Sequence, residues 1–217
     1  MSRQLYGRNA EEDSLSFLAT GDWGIPTKMQ KVVATQMGQH AQRVQAQFVA
    51  SNGDNIYSWG AGSVHDPRFE SVFEQIFSVD SEFRRMPWYM ALGNHDRRGN
   101  IEAQVAYSAY NPRWVLPHNY YDVHLPAFDH LGGPPVHLIV LDTLPLVCAD
   151  MDYSSAEEAM GFVECEVFAY SQMGRDVLAE HGGVPTNEVF DEIHRQLSIE
   201  RREQLEYVTS LAFFISD

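Results

Sequence analysis

The sequence predicts an α/β protein built on a parallel sheet. Three observations point that way: short apolar runs that each stop at a glycine–polar cluster, helical periods lying between those runs, and an apolar fraction of 44%, enough to bury a core. The runs are Leu15 to Thr20, ended by Gly21-Asp22-Trp23-Gly24; Phe48-Val49-Ala50, ended by Asn52-Gly53-Asp54-Asn55; and Trp88 to Leu92, ended by Gly93-Asn94-His95-Asp96. Strands alternating with helices pair in parallel through right-handed crossovers. Ligands then bind beyond the carboxyl ends of the strands, so the three clusters are expected on one rim.

Each element follows in order. Pro26 sits where a proline of the first helical turn is tolerated. Met29, Val32, Val33, Met37, Ala41 and Val44 recur at spacings of three and four, which predicts a helix with that apolar face turned inward. Phe69, Val72, Phe73, Ile76 and Phe77 repeat the helical period. Asn119 to Leu125 and Val136 to Thr143 read as strands separated by the turn Gly132-Gly133-Pro134-Pro135. Residues 149–188 are acidic and weakly periodic, and read as an insertion or long loop. Val189, Ile193, Leu197, Leu205, Val208 and Leu211 suit an amphipathic helix. Ala212-Phe213-Phe214-Ile215 reads either as the opening of a further strand or as residues from an altered reading frame.

Composition narrows the function classes. The 217 residues carry 15 Lys+Arg against 30 Asp+Glu, a net charge of −15. Such a field repels polyanions, so neither nucleic acid nor an anionic membrane is expected as a partner. No apolar run approaches the ~18 residues of a membrane span. The first residues, Met-Ser-Arg-Gln-Leu-Tyr-Gly-Arg-Asn-Ala-Glu-Glu-Asp, hold no hydrophobic signal core, so the cytosol is the default location. Cys148 and Cys165 make neither a disulfide framework nor a zinc-ligand spacing.

The three clusters supply Asp22, Asp54, Asn55, Tyr57, Asn94, His95 and Asp96. Carboxylates, a phenol, an amide oxygen and an imidazole together suit hard or borderline cations: magnesium, manganese, iron and zinc. One carboxylate can bridge two metals ~3.5–4 Å apart, and such a pair activates water and clamps phosphoryl oxygens. Taken singly, Gly-Asp and Asn-Gly-Asp-Asn are common turns, and Gly-Asn-His-Asp can be a helix cap beside a surface histidine. Three of them, each after an apolar run and in this order, outweigh that reading.

These residues carry a resemblance. Gly21-Asp22-Trp23-Gly24, Gly53-Asp54-Asn55-Ile56-Tyr57 and Gly93-Asn94-His95-Asp96 resemble the first three motifs of the calcineurin-like metallophosphoesterases, and more narrowly those of purple acid phosphatases of the small, tartrate-resistant type. Gly24 stands where other metallophosphoesterases carry histidine, and Tyr57 stands where purple acid phosphatases carry their tyrosine. Similarity continues through Gly99-Asn100, Arg113-Trp114, Tyr120-Tyr121 and Asp142-Thr143 to about residue 148, and Gln204-Leu205-Glu206-Tyr207 resembles the family's next helix.

The resemblance implies an αββα sandwich and an acid phosphatase acting on small phosphomonoesters or phosphoproteins. It implies a centre of Fe(III) and a second divalent metal (iron, zinc or manganese), with hydroxide on the metals as nucleophile. Asp22 and Tyr57 would bind the ferric ion, the latter giving the family its colour; Asp54 would bridge, and Asn94 would bind the divalent ion. His95 would contact the phosphate and protonate the leaving alkoxide, and Asp96 is expected to favour the protonated imidazole by proximity.

The family completes its site with histidines of Gly-His-Xaa and Gly-His-Xaa-His motifs. The nine histidines here include none after His194 and none directly following glycine. His118, His124, His130 and His137 match no ligand spacing and read as surface residues. The chain is therefore expected to be one metallophosphoesterase domain lacking the C-terminal part of its second sheet. That predicts weak binding of the second metal and self-association through an uncovered sheet face. The alternative is a non-catalytic metal-binding or protein-interaction module. Relatives of this kind are secreted or lysosomal, against the cytosolic default.

Overall fold

The structure, a computed structural model, describes residues 15–78, 83–125, 136–149, 171–184 and 186–214. Strands β1 (Leu18–Thr20), β2 (Val49–Ser51), β3 (Trp88–Met90) and β4 (Trp114–Val115) lie side by side in that order, all parallel. Register pairs Leu18 with Val49 and Val49 with Trp88, so the three predicted runs form adjacent strands and end at one edge. Two residues leave no periodic trace, and β4 therefore escapes the sequence reading. A second, antiparallel sheet joins β5 (Tyr121–Leu125) to β6 (Val136–Val140), as expected, while the Gly132–Pro135 turn lies outside the described residues. Tyr121 and Val140 face the core shared with the parallel sheet.

Helix α1 (Lys28–Val44) starts two residues beyond Pro26, which lies outside its first turn. Thr27 is its N-cap, its side chain accepting from the Gln30 amide, and Gln45 ends the helix in the left-handed region with φ of 53°. The inward face agrees with the predicted one in its second half, where Ala41 is buried and Met37 packs against the core, and differs in its first half. Gln30, Ala34, Gly38 and Ala41 are buried, whereas Met29, Val32 and Val33 are 68%, 56% and 47% exposed. Small residues let the helix lie close to the sheet, which the larger methionine and valines would prevent. Gln30 compensates for its burial by donating to the Trp23 and Val72 carbonyls.

The second helical period winds as a π-helix over Phe69–Glu74, closed by Gln75 N–H donating to the Glu70 carbonyl at 2.9 Å. Its predicted apolar face is buried as expected, with Phe69, Val72, Phe73, Ile76 and Phe77 in the core. Their rings meet Trp88 and Trp114, and Trp23 of the first cluster stands among them, 5.3–6.1 Å from Phe77, Trp88, Phe73 and Trp114. Truncating one such buried ring costs roughly 3–5 kcal/mol, so this tryptophan holds the loop that carries Asp22.

Between Tyr57 and the π-helix the chain is pinned by Asp66. Its carboxylate accepts from the Gly62 and Arg68 amides and from Arg68 Nε and Nη2, and Arg68 Nη1 reaches the Tyr57 carbonyl at 3.3 Å. Burial raises the carboxyl's pKa, but the Arg68 and amide hydrogen bonds outweigh it and hold the group at about 2. A carboxylate depressed below its ordinary value stabilises the fold above about pH 4, and that stability is lost as pH falls through about 2. Because Arg68 is partly exposed, the contribution is discounted to about 1 kcal/mol. Urea melts should show Asp66→Asn about 1 kcal/mol less stable than the parent at pH 6. The two should converge near pH 2; a gap independent of pH counts against the ion pair.

Helices α2 (Asn94–Arg97) and α3 (Ile101–Tyr107) lie between β3 and β4. After β6, α4 (Thr143–Cys148), α5 (Gln172–Glu180) and α6 (Asn187–Phe214) gather a second core of Cys148, Ala149, Val177, Val189, Ile193 and Leu197. The stretch 149–188, read as a loop, thus contains a helix, capped by Ser171 accepting from the Gly174 amide; residues 150–170 lie outside the described residues. Cys148 is disulfide-bonded, where the sequence reading expected no framework, and Cys165 lies outside the described residues. Ala212 to Phe214 continue α6, against the first of the two readings of this stretch, the opening of a strand; Ile215 lies outside the described residues.

Candidate metal centre

Asp22 follows β1 and Asp54 follows β2, both in the left-handed region, with φ of 58° and 54°. Aspartate tolerates that region better than most residues, and strain of this kind collects where side chains must be aimed. The third cluster closes against the second. A Cβ on Gly93 would stand 2.2 Å from Asp54 Oδ1, so only glycine lets this carboxylate sit there. The His95 amide then donates to Asp54 Oδ1 at 3.0 Å.

Tyr57 joins the two carboxylates. Its hydroxyl lies 2.8 Å from Asp22 Oδ1 and 2.7 Å from Asp54 Oδ2. One phenolic proton serves two acceptors, so three oxygens converge with a surplus of negative charge. Burial first, and then the hydrogen bonds to Asp54 and Asp22, push the phenol above its ordinary pKa. Asn94 opens helix α2 (Asn94–Arg97) on the neighbouring loop and is half-buried. The imidazole of His95 lies tilted against the Tyr57 ring with centroids 4.3 Å apart, and its Nδ1–H donates to the Ser58 carbonyl at 2.8 Å. That assignment leaves Nε2 as the nitrogen available to a substrate.

Asp96 does not fill the role expected of it. Its carboxylate is fully buried and accepts from five donors: the amides of Asn55, Ile56 and Gly93, and the side chains of Asn55 and Gln104. It ties the second loop to the third instead of supporting the His95 imidazole. Burial, only partly offset by those hydrogen bonds, raises its pKa to about 6. Asn55 is likewise removed from the rim: Ser51 Oγ donates to its Oδ1 while its Nδ2 donates to the Ala91 carbonyl. Trp23 Nε1 donates in turn to Ser51 Oγ, so one chain of hydrogen bonds links all three loops.

Sequence reasoning missed this wiring, because Ser51 and Gln104 lie outside the clusters and carry no motif of their own. It also missed Arg97. Held on α2 directly behind the rim, the guanidinium donates to Asp142 Oδ2 and, at 2.8 Å, to Glu200 Oε2 on α6. Gln204 completes the junction by pairing with the Asp142 backbone amide and carbonyl, each at 2.8 Å. The C-terminal helix is thereby attached to the loop bearing Asn94 and His95.

The donor set fits a metal centre in part. Asp22, Asp54 and Tyr57 offer hard oxygens of the kind that hold ferric iron, and their close approach with one proton among them leaves a natural place for a cation. Asp54 and Asn94 offer fewer donors to a second ion. Among the described residues, no group of three or more His, Cys, Asp and Glu side chains is placed to hold a metal.

Known proteins bear on the same residues. The calcineurin-like phosphoesterase family matches residues 15–212. Human tartrate-resistant acid phosphatase type 5 is 37% identical over 145 residues, covering 64% of this chain and 43% of the relative. Purple acid phosphatase 3 of Arabidopsis thaliana is 36% identical over 148 residues, covering 67% and 37%. Among solved structures, GAP50, the anchor in the inner membrane complex of Plasmodium, aligns with a TM-score of 0.53 at 25% identity, covering 68% of this chain and 47% of that one. The chain thus spans less than half the length of the curated relatives it matches.

Proposed function

The chain belongs to the calcineurin-like phosphoesterase family, and we propose that its rim serves the acid hydrolysis of phosphate monoesters in the manner of a purple acid phosphatase. The observation that carries this reading is the Tyr57 hydroxyl lying between Asp22 and Asp54. Asp22, Asp54 and Tyr57 would hold ferric iron, and Asp54 and Asn94 would hold a divalent ion; bound there, the metals would supply Lewis acidity and an activated water. Asp54 would serve both ions, its carboxylate held by the His95 amide and by the space that Gly93 leaves. His95 orients the ester and donates a proton from Nε2 to the departing oxygen, its ring fixed by the Ser58 carbonyl and by Tyr57. The likeness to acid phosphatases over about two thirds of the chain supports the same reading.

The test is an aryl phosphate assay of the iron-reconstituted chain between pH 4 and 7. Turnover is expected on the acid side, with a visible charge-transfer band that Tyr57→Phe removes. A rate no higher than that of an Asp54→Ala control overturns the activity.

A further inference from the structure

Along the rim the contacts run in one order. The carboxylates of Asp22 and Asp54 meet the Tyr57 hydroxyl, the Tyr57 ring lies against the His95 imidazole, and Arg98 Nη1 stands 3.3 Å from His95 Nδ1. Nδ1 already donates to the Ser58 carbonyl, so it has no lone pair with which to accept from Arg98. The guanidinium also lies 5.6 Å from the centre of the Trp59 ring, a contact that gives its N–H groups no oxygen acceptor. Among the described residues no carboxylate pairs with Arg98 and no oxygen accepts from its guanidinium, whereas Arg68, Arg97 and Arg113 each have a carboxylate partner.

The residue is anchored before any ligand arrives. Arg98 closes α2, the Gly99 N–H donates back to the Asp96 carbonyl at 3.0 Å, and Arg175 of α5 donates to the Arg98 carbonyl at 3.3 Å. Asn100 N–H ties this turn to the one that follows Tyr57 by donating to the Ala61 carbonyl at 2.7 Å. A cation on a fixed backbone loses less freedom on binding than one on a loose loop. In a chain of net charge −15, a half-buried guanidinium thus stands beside the residue that serves the leaving oxygen.

We propose that Arg98 is an anion subsite for the leaving group, and that it selects phosphomonoesters whose leaving group carries a carboxylate a few atoms from the scissile oxygen. This rests on the phosphatase reading of Asp22, Asp54, Tyr57 and His95. With the phosphorus at the carboxylate end of the rim and His95 Nε2 at the bridging oxygen, the departing group continues past the imidazole to the side where Arg98 stands. The planar fork of the guanidinium pairs with both oxygens of a carboxylate. A single negative charge is also opposed less by the field of the whole chain than the two charges of a second phosphate. Because the carboxylate takes no part in bond breaking, the pair forms equally in the ground and transition states, and Arg98 acts on binding and not on the chemical step.

Two measurements on the iron-reconstituted chain test this. The first is calorimetric titration with 3-phosphonopropanoate and with propylphosphonate, neither of which is cleaved. The carboxylate compound is expected to bind about fivefold more tightly, the upper end of what a partly exposed ion pair contributes. That ratio should fall to about one in Arg98→Ala and recover in part in Arg98→Lys, which keeps the charge and loses the fork. Arg43→Ala, an exposed arginine of α1 that contacts His40, should leave it unchanged and so excludes an effect of net charge alone. The second compares 2-carboxyethyl phosphate with propyl phosphate as substrates. Arg98→Ala should raise KM about fivefold for the former, with kcat unchanged and both constants for propyl phosphate unmoved. A parent binding ratio near one, or a ratio that Arg98→Ala leaves as it was, overturns the subsite. Absence of turnover with the Arg98-dependent binding ratio intact counts against the phosphatase reading alone.

Discussion

Replacing His95 by alanine is expected to lower kcat for an alkyl phosphate by roughly 10²–10⁴-fold, the usual worth of a positioned proton donor. The dependence on leaving group is the sharper result. An alkoxide is strongly basic and leaves only as it is protonated, whereas a nitrophenolate leaves as the anion. Para-nitrophenyl phosphate should therefore lose less than about tenfold in the same variant. The ring of His95 is half-buried and held by Ser58 and Tyr57, outside the hydrophobic core, so the fold should survive its removal. Steady-state kinetics on the ester pair decide the matter. Equal losses on both esters would remove His95 from proton transfer and leave it as a phosphate contact.

Asp96→Ala is expected to damage the fold itself, by about 4 kcal/mol. The carboxylate has no solvent exposure, and its removal strands the Asn55, Ile56 and Gly93 amides and the Gln104 amide nitrogen in a space water does not readily refill. Asparagine is nearly isosteric yet recovers little, because its amide group turns N–H atoms toward donors that already line the pocket. Denaturant melts of the three proteins, monitored by near-ultraviolet circular dichroism, measure the effect. A loss under about 1 kcal/mol for alanine would show that these loops hold together without the carboxylate. Because the same group joins the loop of Asp54 to that of Asn94, whatever fold remains should bind iron more weakly.

Much of the site was legible in the sequence because its groups stand at the ends of apolar runs. A run of three to five apolar residues followed by glycine and a polar residue is a local pattern, and strand order turns it into a shared rim. Asp22, Asp54, Tyr57, Asn94 and His95 stood out as candidates for that reason. The roles of Asp96 and Asn55 were not. Both are polar residues in a polar cluster, and only the packing of one loop on another separates a rim residue from a buried strut. The first helix shows the same limit. Its period was legible, but the period alone does not say whether Met29, Val32 and Val33 or Gln30, Ala34 and Gly38 turn inward. Helix-to-sheet distance decides that, and it is a property of the assembled layers.

By itself, then, the sequence determined the class of fold and the order of the three loops that carry the candidate site, since both rest on residue type and spacing along the chain. Tertiary structure decided what depends on residues far apart in sequence. It joined Tyr57 to Asp22 across 35 positions, bound Arg97 to Glu200 across 103, and set Arg98 over Trp59 at the edge of the site. Contacts of that kind leave no periodicity to read, because each arises only when separate elements pack.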